Sequence, residues 1–140
     1  MQTTQADIYP PTKIVIKNTP SKGRGVFAIS PISKNEVIEI APIVVLGKYD
    51  SEIINNKNSV LYYYSLEQVR LKRDCIMLGY SSLYNHSDQP NCDWEYDDNK
   101  ENRFLRIRAL VDINPGEELT IDYDDSSTEQ EFMPEEMLKL

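Results

Sequence analysis

Ser82-Leu83-Tyr84-Asn85-His86-Ser87-Asp88-Gln89-Pro90-Asn91-Cys92 is the stretch on which the reading of this chain turns. An Asn-His-Ser triplet followed three residues later by Pro-Asn is an unusual composition. Asparagine carries both donors and acceptors, and a neutral imidazole carries one of each. Together Asn85 and His86 are equipped to read the edge of an adenine-like base. The same residues also suit a polar loop that caps its own backbone. Cys92, six residues after His86, raises nucleophilic Cys–His chemistry as a further option, but no feature around it points to a lowered thiol pKa.

Two other clusters flank this one. Lys22-Gly23-Arg24-Gly25-Val26-Phe27 is a glycine turn opening into an apolar run. Glycines let backbone approach a ligand with no Cβ in the way, and the segment reads equally well as a plain β-hairpin turn. It is a poor dinucleotide fingerprint, because no third glycine and no helix follow. Towards the C-terminus stands Gly116-Glu117-Glu118-Leu119-Thr120-Ile121-Asp122-Tyr123, a turn, a short strand and a closing tyrosine.

Between the clusters the chain is written in short β-prone runs. Ile14-Val15-Ile16, Val26-Phe27-Ala28-Ile29, Val37 to Leu46 (interrupted only by Pro42), Cys75-Ile76-Met77-Leu78, Arg103 to Leu110 and Leu119-Thr120-Ile121 are the expected strands. Turn signals separate them at Thr19–Gly23, Ser30-Pro31, Ser33–Asn35 and Asn114-Pro115-Gly116-Glu117, the last placing Pro and Gly where a type II turn needs them. A short helix is expected around Ser51 to Lys57. The pattern predicts a mostly β domain, α+β with few short helices, built of several small sheets. Residues 1–12 read as a loose arm, 13–124 as one domain, and 125–140 as an acidic tail.

Composition narrows the function. The 140 residues suit one domain, and a 40% hydrophobic fraction supplies a core. Net charge is −8, from 23 acidic and 15 basic residues. Nucleic-acid backbones are bound by clustered Lys and Arg, so direct nucleic-acid binding is not expected. A basic peptide is the compatible partner. With two cysteines and one histidine, the chain lacks the four-ligand pattern of a structural zinc site. The start has neither basic n-region nor apolar h-region, and no run of about 18 apolar residues occurs, so neither secretion nor a membrane span is expected. The expected address is cytoplasmic, or a host nucleus if the protein is exported or viral.

Taken in order, the G-x-G turn with its strand, N-H-S-x-x-P-N and G-E-E-L-x-x-D-Y resemble the SET-domain family of protein-lysine methyltransferases, in particular its compact bacterial and viral stand-alone members. Glu36 to Pro42 and Leu78-Gly79-Tyr80 fit the same likeness, which spans about residues 13–123. The resemblance implies a β-clip fold with a knot-like C-terminal threading, S-adenosylmethionine as cofactor, and transfer of a methyl group to a lysine of a basic segment such as a histone-like tail. It assigns cofactor binding to Lys22, Gly23 and Arg24 through backbone and to Asn85 and His86, and places Tyr123 at the methyl-transfer point. Tyr63, chosen among Tyr62, Tyr63 and Tyr64, and Trp94 would line the lysine channel. Departures exist: Ser82 and Asp88 stand where many members have Arg and Cys, and the cysteine-rich closing segment is missing. Phe132 in the tail, or a second subunit in a homodimer, would then close the site. That absence also motivates the alternative of a non-catalytic SET-like module that binds a peptide or partner.

Overall fold

The computed structural model describes residues 7–56, 58–68, 73–96 and 104–123. The elements follow in the order β1 (Ile14–Thr19), β2 (Gly23–Ala28), β3 (Val37–Val45), α1 (Lys48–Ile54), β4 (Ser65–Gln68), β5 (Arg73–Met77), β6 (Asn85–His86), β7 (Cys92–Tyr96), β8 (Phe104–Ala109) and β9 (Glu118–Ile121), with single 3-10 turns at Val60–Tyr63 and Ser81–Leu83. One sheet runs β1-β2-β9-β6 and the other β4-β5-β3-β8-β7. The expected class, mostly β with several small sheets, is what the chain forms.

The local chemistry explains most of these elements. In β8 Leu105, Ile107 and Ala109 are buried while Phe104, Arg106 and Arg108 are only partly covered, which is the period of two that a strand with one wet face requires. The turn before β9 closes with the Glu117 amide donating to the Asn114 carbonyl, and Gly116 takes φ of +90°, a conformation that favours glycine. Hydrogen bonds from the Gly116 amide to Ala28 O and from the Ala28 amide to Glu117 O then dock that turn on the end of β2. Pro42 lies inside β3 without breaking the sheet. It sits where β3 changes partners, from β8 up to Pro42 to β5 from Ile43 onward.

Two expectations need correction, and one strand was not foreseen. The helix covers Lys48–Ile54 instead of the region from Ser51 to Lys57, starting directly after Gly47 with Asp50 in its first turn, where a carboxylate favours the exposed amides. Asn85-His86, read as loop, forms a two-residue parallel strand against Thr120 and Ile121. The stretch from Cys92 is also strand, antiparallel to β8 from Cys92↔Ala109 to Tyr96↔Leu105. Of the knot-like C-terminal threading expected to bring Asn85, His86 and Tyr123 together, the described residues show β6 beside β9, and the chain after Tyr123 lies outside them.

The core joins the two sheets. Val26, Ala28, Ile32, Leu105, Ile107, Ile113 and Leu119 are buried together with Tyr84, Cys75 and Cys92. Both cysteines are free thiols, so no disulfide links them. Among the described residues no helix is long and apolar enough to cross a membrane.

Candidate active site

Three separate lengths of chain meet where β6 lies beside β9. Gly23 turns the chain out of the β1–β2 hairpin with φ of +73°. Thr19 braces that turn, its hydroxyl donating to Gly23 O at 2.8 Å and accepting from the Lys22 amide at 2.8 Å. Lys22 and Arg24 point outward and are exposed, while Gly25 is buried. The turn therefore faces the rest of the molecule with backbone.

Asn85 ties the turn to β9. Its side-chain Nδ2 donates to Arg24 O at 3.1 Å and to Glu118 Oε1 at 2.7 Å. With both amide hydrogens spent, Asn85 Oδ1 is left as an acceptor. Gly25 is required by this junction: a Cβ there would stand 2.6 Å from Glu118 Oε1 and 2.8 Å from Asn85 Nδ2. Asn91 completes the motif by standing in for a missing strand neighbour. Its Nδ2 donates to Glu118 O and its Oδ1 accepts from the Thr120 amide, each at 2.8 Å.

His86 sits on the other end of β6 and is held on both ring nitrogens. The Tyr123 amide donates to Nδ1 at 3.1 Å, which makes Nδ1 the acceptor and puts the proton on Nε2, 2.9 Å from Asp88 Oδ1. The two ring nitrogens expected to read a base are thus engaged within the chain, and the imidazole fixes the end of β9. The His86 and Tyr123 rings lie 5.3 Å apart.

Tyr123 donates its hydroxyl proton to Tyr84 O at 2.6 Å. Desolvation, then the neighbouring Tyr64 and then Glu118, push its phenol up to about 12. The tyrosine that shares the Tyr123 environment is therefore Tyr64, the residue after the 3-10 turn at Val60–Tyr63. Tyr63, chosen on spacing, packs edge-on against Tyr62 at 5.0 Å. Trp94 lies on edge strand β7, with its ring edge-on to Tyr96 at 5.0 Å. Phe132 lies outside the described residues.

Beneath Tyr84 sits an acid that the sequence reading did not select. The register of β3 against β8 slips between Val37 and Glu39, and the consecutive residues Ile38 and Glu39 are both buried. Glu39, 3% exposed, accepts the Tyr84 hydroxyl at 3.1 Å and the Tyr80 amide at 2.7 Å. Burial raises its carboxyl above the usual range, against the lowering effect of those two hydrogen bonds. Gly79, at φ of +70°, leaves room for the carboxylate, because a Cβ there would stand 2.7 Å from Glu39 Oε2. One acid inside the run Val37-Ile38-Glu39-Ile40-Ala41 was the available signal. Cys92, by contrast, is no nucleophile: it is 1% exposed, and desolvation pushes its thiol up to about 12.

Comparison with known proteins identifies the family of the chain. A family model described as the SET domain matches residues 23–124. The Schizosaccharomyces pombe histone-lysine N-methyltransferase specific for H3 lysine-37 is 36% identical over 110 residues, covering 79% of this chain and 72% of that protein. The Drosophila melanogaster histone-lysine N-methyltransferase Set8 is 31% identical over 125 residues, covering 81% of this chain but 18% of its own much longer one. A crystal structure of a Plasmodium falciparum protein assigned as a histone methyltransferase superposes with a TM-score of 0.68 at 33% identity, over 82% of this chain and 96% of that one.

Proposed function

The chain belongs to the SET-domain family, and from that premise we propose that it is an S-adenosylmethionine-dependent protein-lysine N-methyltransferase acting on a basic, histone-like tail. The observation that carries this reading is the junction at Asn85: one side-chain amide binds the glycine turn and β9 together, a few residues from the Tyr123 phenol.

The cofactor fits the chemistry of that junction. Gly23 and Arg24 present backbone, and Asn85 Oδ1 and Glu118 present acceptors, as a cationic molecule requires. These residues would hold S-adenosylmethionine, and the chemistry it supplies when bound is a methyl group on a sulfonium. We assign the remaining steps to the chain's own groups. The target lysine must arrive uncharged although its free pKa is about 10.4, and a desolvated aromatic setting favours the neutral amine. Tyr64 and Tyr123 supply that setting, with Tyr64 replacing Tyr63 in the role of channel tyrosine. Because the Tyr123 O–H is already given to Tyr84 O, its oxygen lone pairs are available to accept from the amine N–H and orient the attacking nitrogen. The phenol, raised to about 12, stays neutral and does not act as an anionic base near pH 7. Aromatic faces also tolerate the methylated, cationic product.

Support for the substrate class comes from two sides. The relatives above are named as histone-lysine methyltransferases, and the net charge of −8 complements a Lys/Arg-rich tail. A histone substrate would place the protein with chromatin. We further assign residues 13–124 to the catalytic domain, with the segment after 124, including Phe132, or a second subunit closing the cofactor site.

The test is mass spectrometry of core histones incubated with purified protein and S-adenosylmethionine. Methylated lysine in a tail peptide is the expected result. Cofactor binding without methylation of any histone lysine would overturn the histone assignment and favour a binding module.

A further inference from the structure

We propose that the Glu118 carboxylate is a specificity-determining residue of the cofactor site, the counter-charge that recognises the positive charge at the methionine end of S-adenosylmethionine. The proposal rests on the cofactor reading given above and adds to it a residue and a chemical reason.

Glu118 opens β9, where it pairs with Phe27 of β2, and its side chain reaches back under the glycine turn. Oε1 accepts from Asn85 Nδ2 at 2.7 Å, and the same nitrogen donates to Arg24 O at 3.1 Å. The approach is close enough that residue 25 has no space for a Cβ, which would fall 2.6 Å from Oε1. A carboxylate is thus brought against the backbone that would hold the cofactor.

Holding Asn85 does not require a charge. A glutamine at 118 would present the same oxygen to the same amide. A half-buried carboxylate also loses hydration, and no Lys, Arg or His among the described residues pairs with Glu118 to offset that. In a chain whose net charge is −8, Glu118 included, a negative charge beside the turn with no cationic side chain against it is unfavourable unless a ligand brings the opposite sign. Asn85 Oδ1, the other polar atom left over at the junction, is likewise an acceptor. The charge is felt locally, since Glu118 contributes to the raised phenol of Tyr123. The methionine end of the donor carries an ammonium, a sulfonium and a carboxylate, and the demethylated product keeps the ammonium and the carboxylate, so Glu118 is assigned to the cationic groups.

Two variants separate charge from hydrogen-bond geometry. Glu118→Gln keeps the acceptor and removes the charge; Glu118→Asp keeps the charge and shortens the reach. Calorimetric titration of each with S-adenosylmethionine and with S-adenosylhomocysteine, alongside a melting curve, reads the effect. Glu118→Gln is expected to weaken S-adenosylmethionine binding about three- to tenfold, the scale of one partly screened charge contact, with Glu118→Asp closer to the parent. An equal loss for S-adenosylhomocysteine places the charge on the ammonium, and a smaller loss places part of it on the sulfonium. Parent-like affinity in Glu118→Gln, or tighter binding by Glu118→Gln than by Glu118→Asp, would overturn the assignment alone. A parent protein that binds neither molecule would overturn the cofactor reading with it.

Discussion

The hydroxyl of Tyr123 donates to the backbone carbonyl of Tyr84 at 2.6 Å, although the two residues are 39 positions apart in sequence. Parallel pairing of β6 with β9 makes this possible, since it sets Asn85-His86, which directly follow Tyr84, beside Thr120-Ile121, which end two residues before Tyr123. The side chain of Tyr84 is anchored below by Glu39. The site is thus a stack: buried acid, buried tyrosine, carbonyl, phenol.

The phenol of Tyr123 titrates late. An unfolded tyrosine loses its proton near 10 and this one near 12, so the folded state binds more protons between those values. Tyr123 therefore contributes stability that is fully present below pH 10 and lost as pH rises towards 12. Ultraviolet titration of parent and Tyr123→Phe will show one late-titrating phenol missing from the variant, and the variant will lose less stability across that window.

Glu39 is a second neutral acid that ionises late in the folded state, so its linkage has the same sign. Its carboxyl is raised above 4.5 by burial, so the folded state holds the proton longer, and the stability it contributes at low pH is lost as pH rises through the raised value. Glu39→Gln removes that dependence, seen as a stability difference from the parent that changes between pH 4.5 and neutrality in urea melts. Glu39→Ala orphans the Tyr84 hydroxyl and the Tyr80 amide and costs about 2–4 kcal/mol.

Two glycines will respond differently to alanine. Gly25→Ala drives a methyl into Glu118 and Asn85, and is expected to destabilise by about 1–3 kcal/mol and to reduce cofactor affinity by calorimetry. Gly116→Ala meets nothing within 4 Å and suffers only from its φ of +90°, a cost of about 1 kcal/mol with cofactor affinity unchanged.

Neither thiol will react in the folded protein. Cys75 and Cys92 are buried, and desolvation raises both. A maleimide at pH 8 is expected to leave native protein unmodified and to label both cysteines after denaturation.

The sequence carries the periodic parts of this fold openly. The alternation from Phe104 to Ala109 and the Pro-Gly turn before β9 are local signals, readable because hydrophobic face and backbone preference are set by neighbours in sequence. Other parts are non-local. Two residues are too few for Asn85-His86 to show a period, and their strand exists only because β9 arrives beside it. The role of Asn91 as a strand surrogate depends on that same arrival. Of three adjacent tyrosines, Tyr64 is the one felt electrostatically by Tyr123, a long-range relation that spacing along the chain does not carry. Glu118 was quoted within its motif, yet only the closeness of Gly25 reveals where its carboxylate lies.

The decisive measurement is methyl transfer from labelled S-adenosylmethionine to core histones by the parent and by Tyr123→Phe, with the fold of both checked by circular dichroism. Lysine labelling is expected from the parent, with a fall of at least about 100-fold in turnover for the variant at nearly unchanged cofactor affinity. Equal turnover by the two proteins would contradict the role assigned to Tyr123.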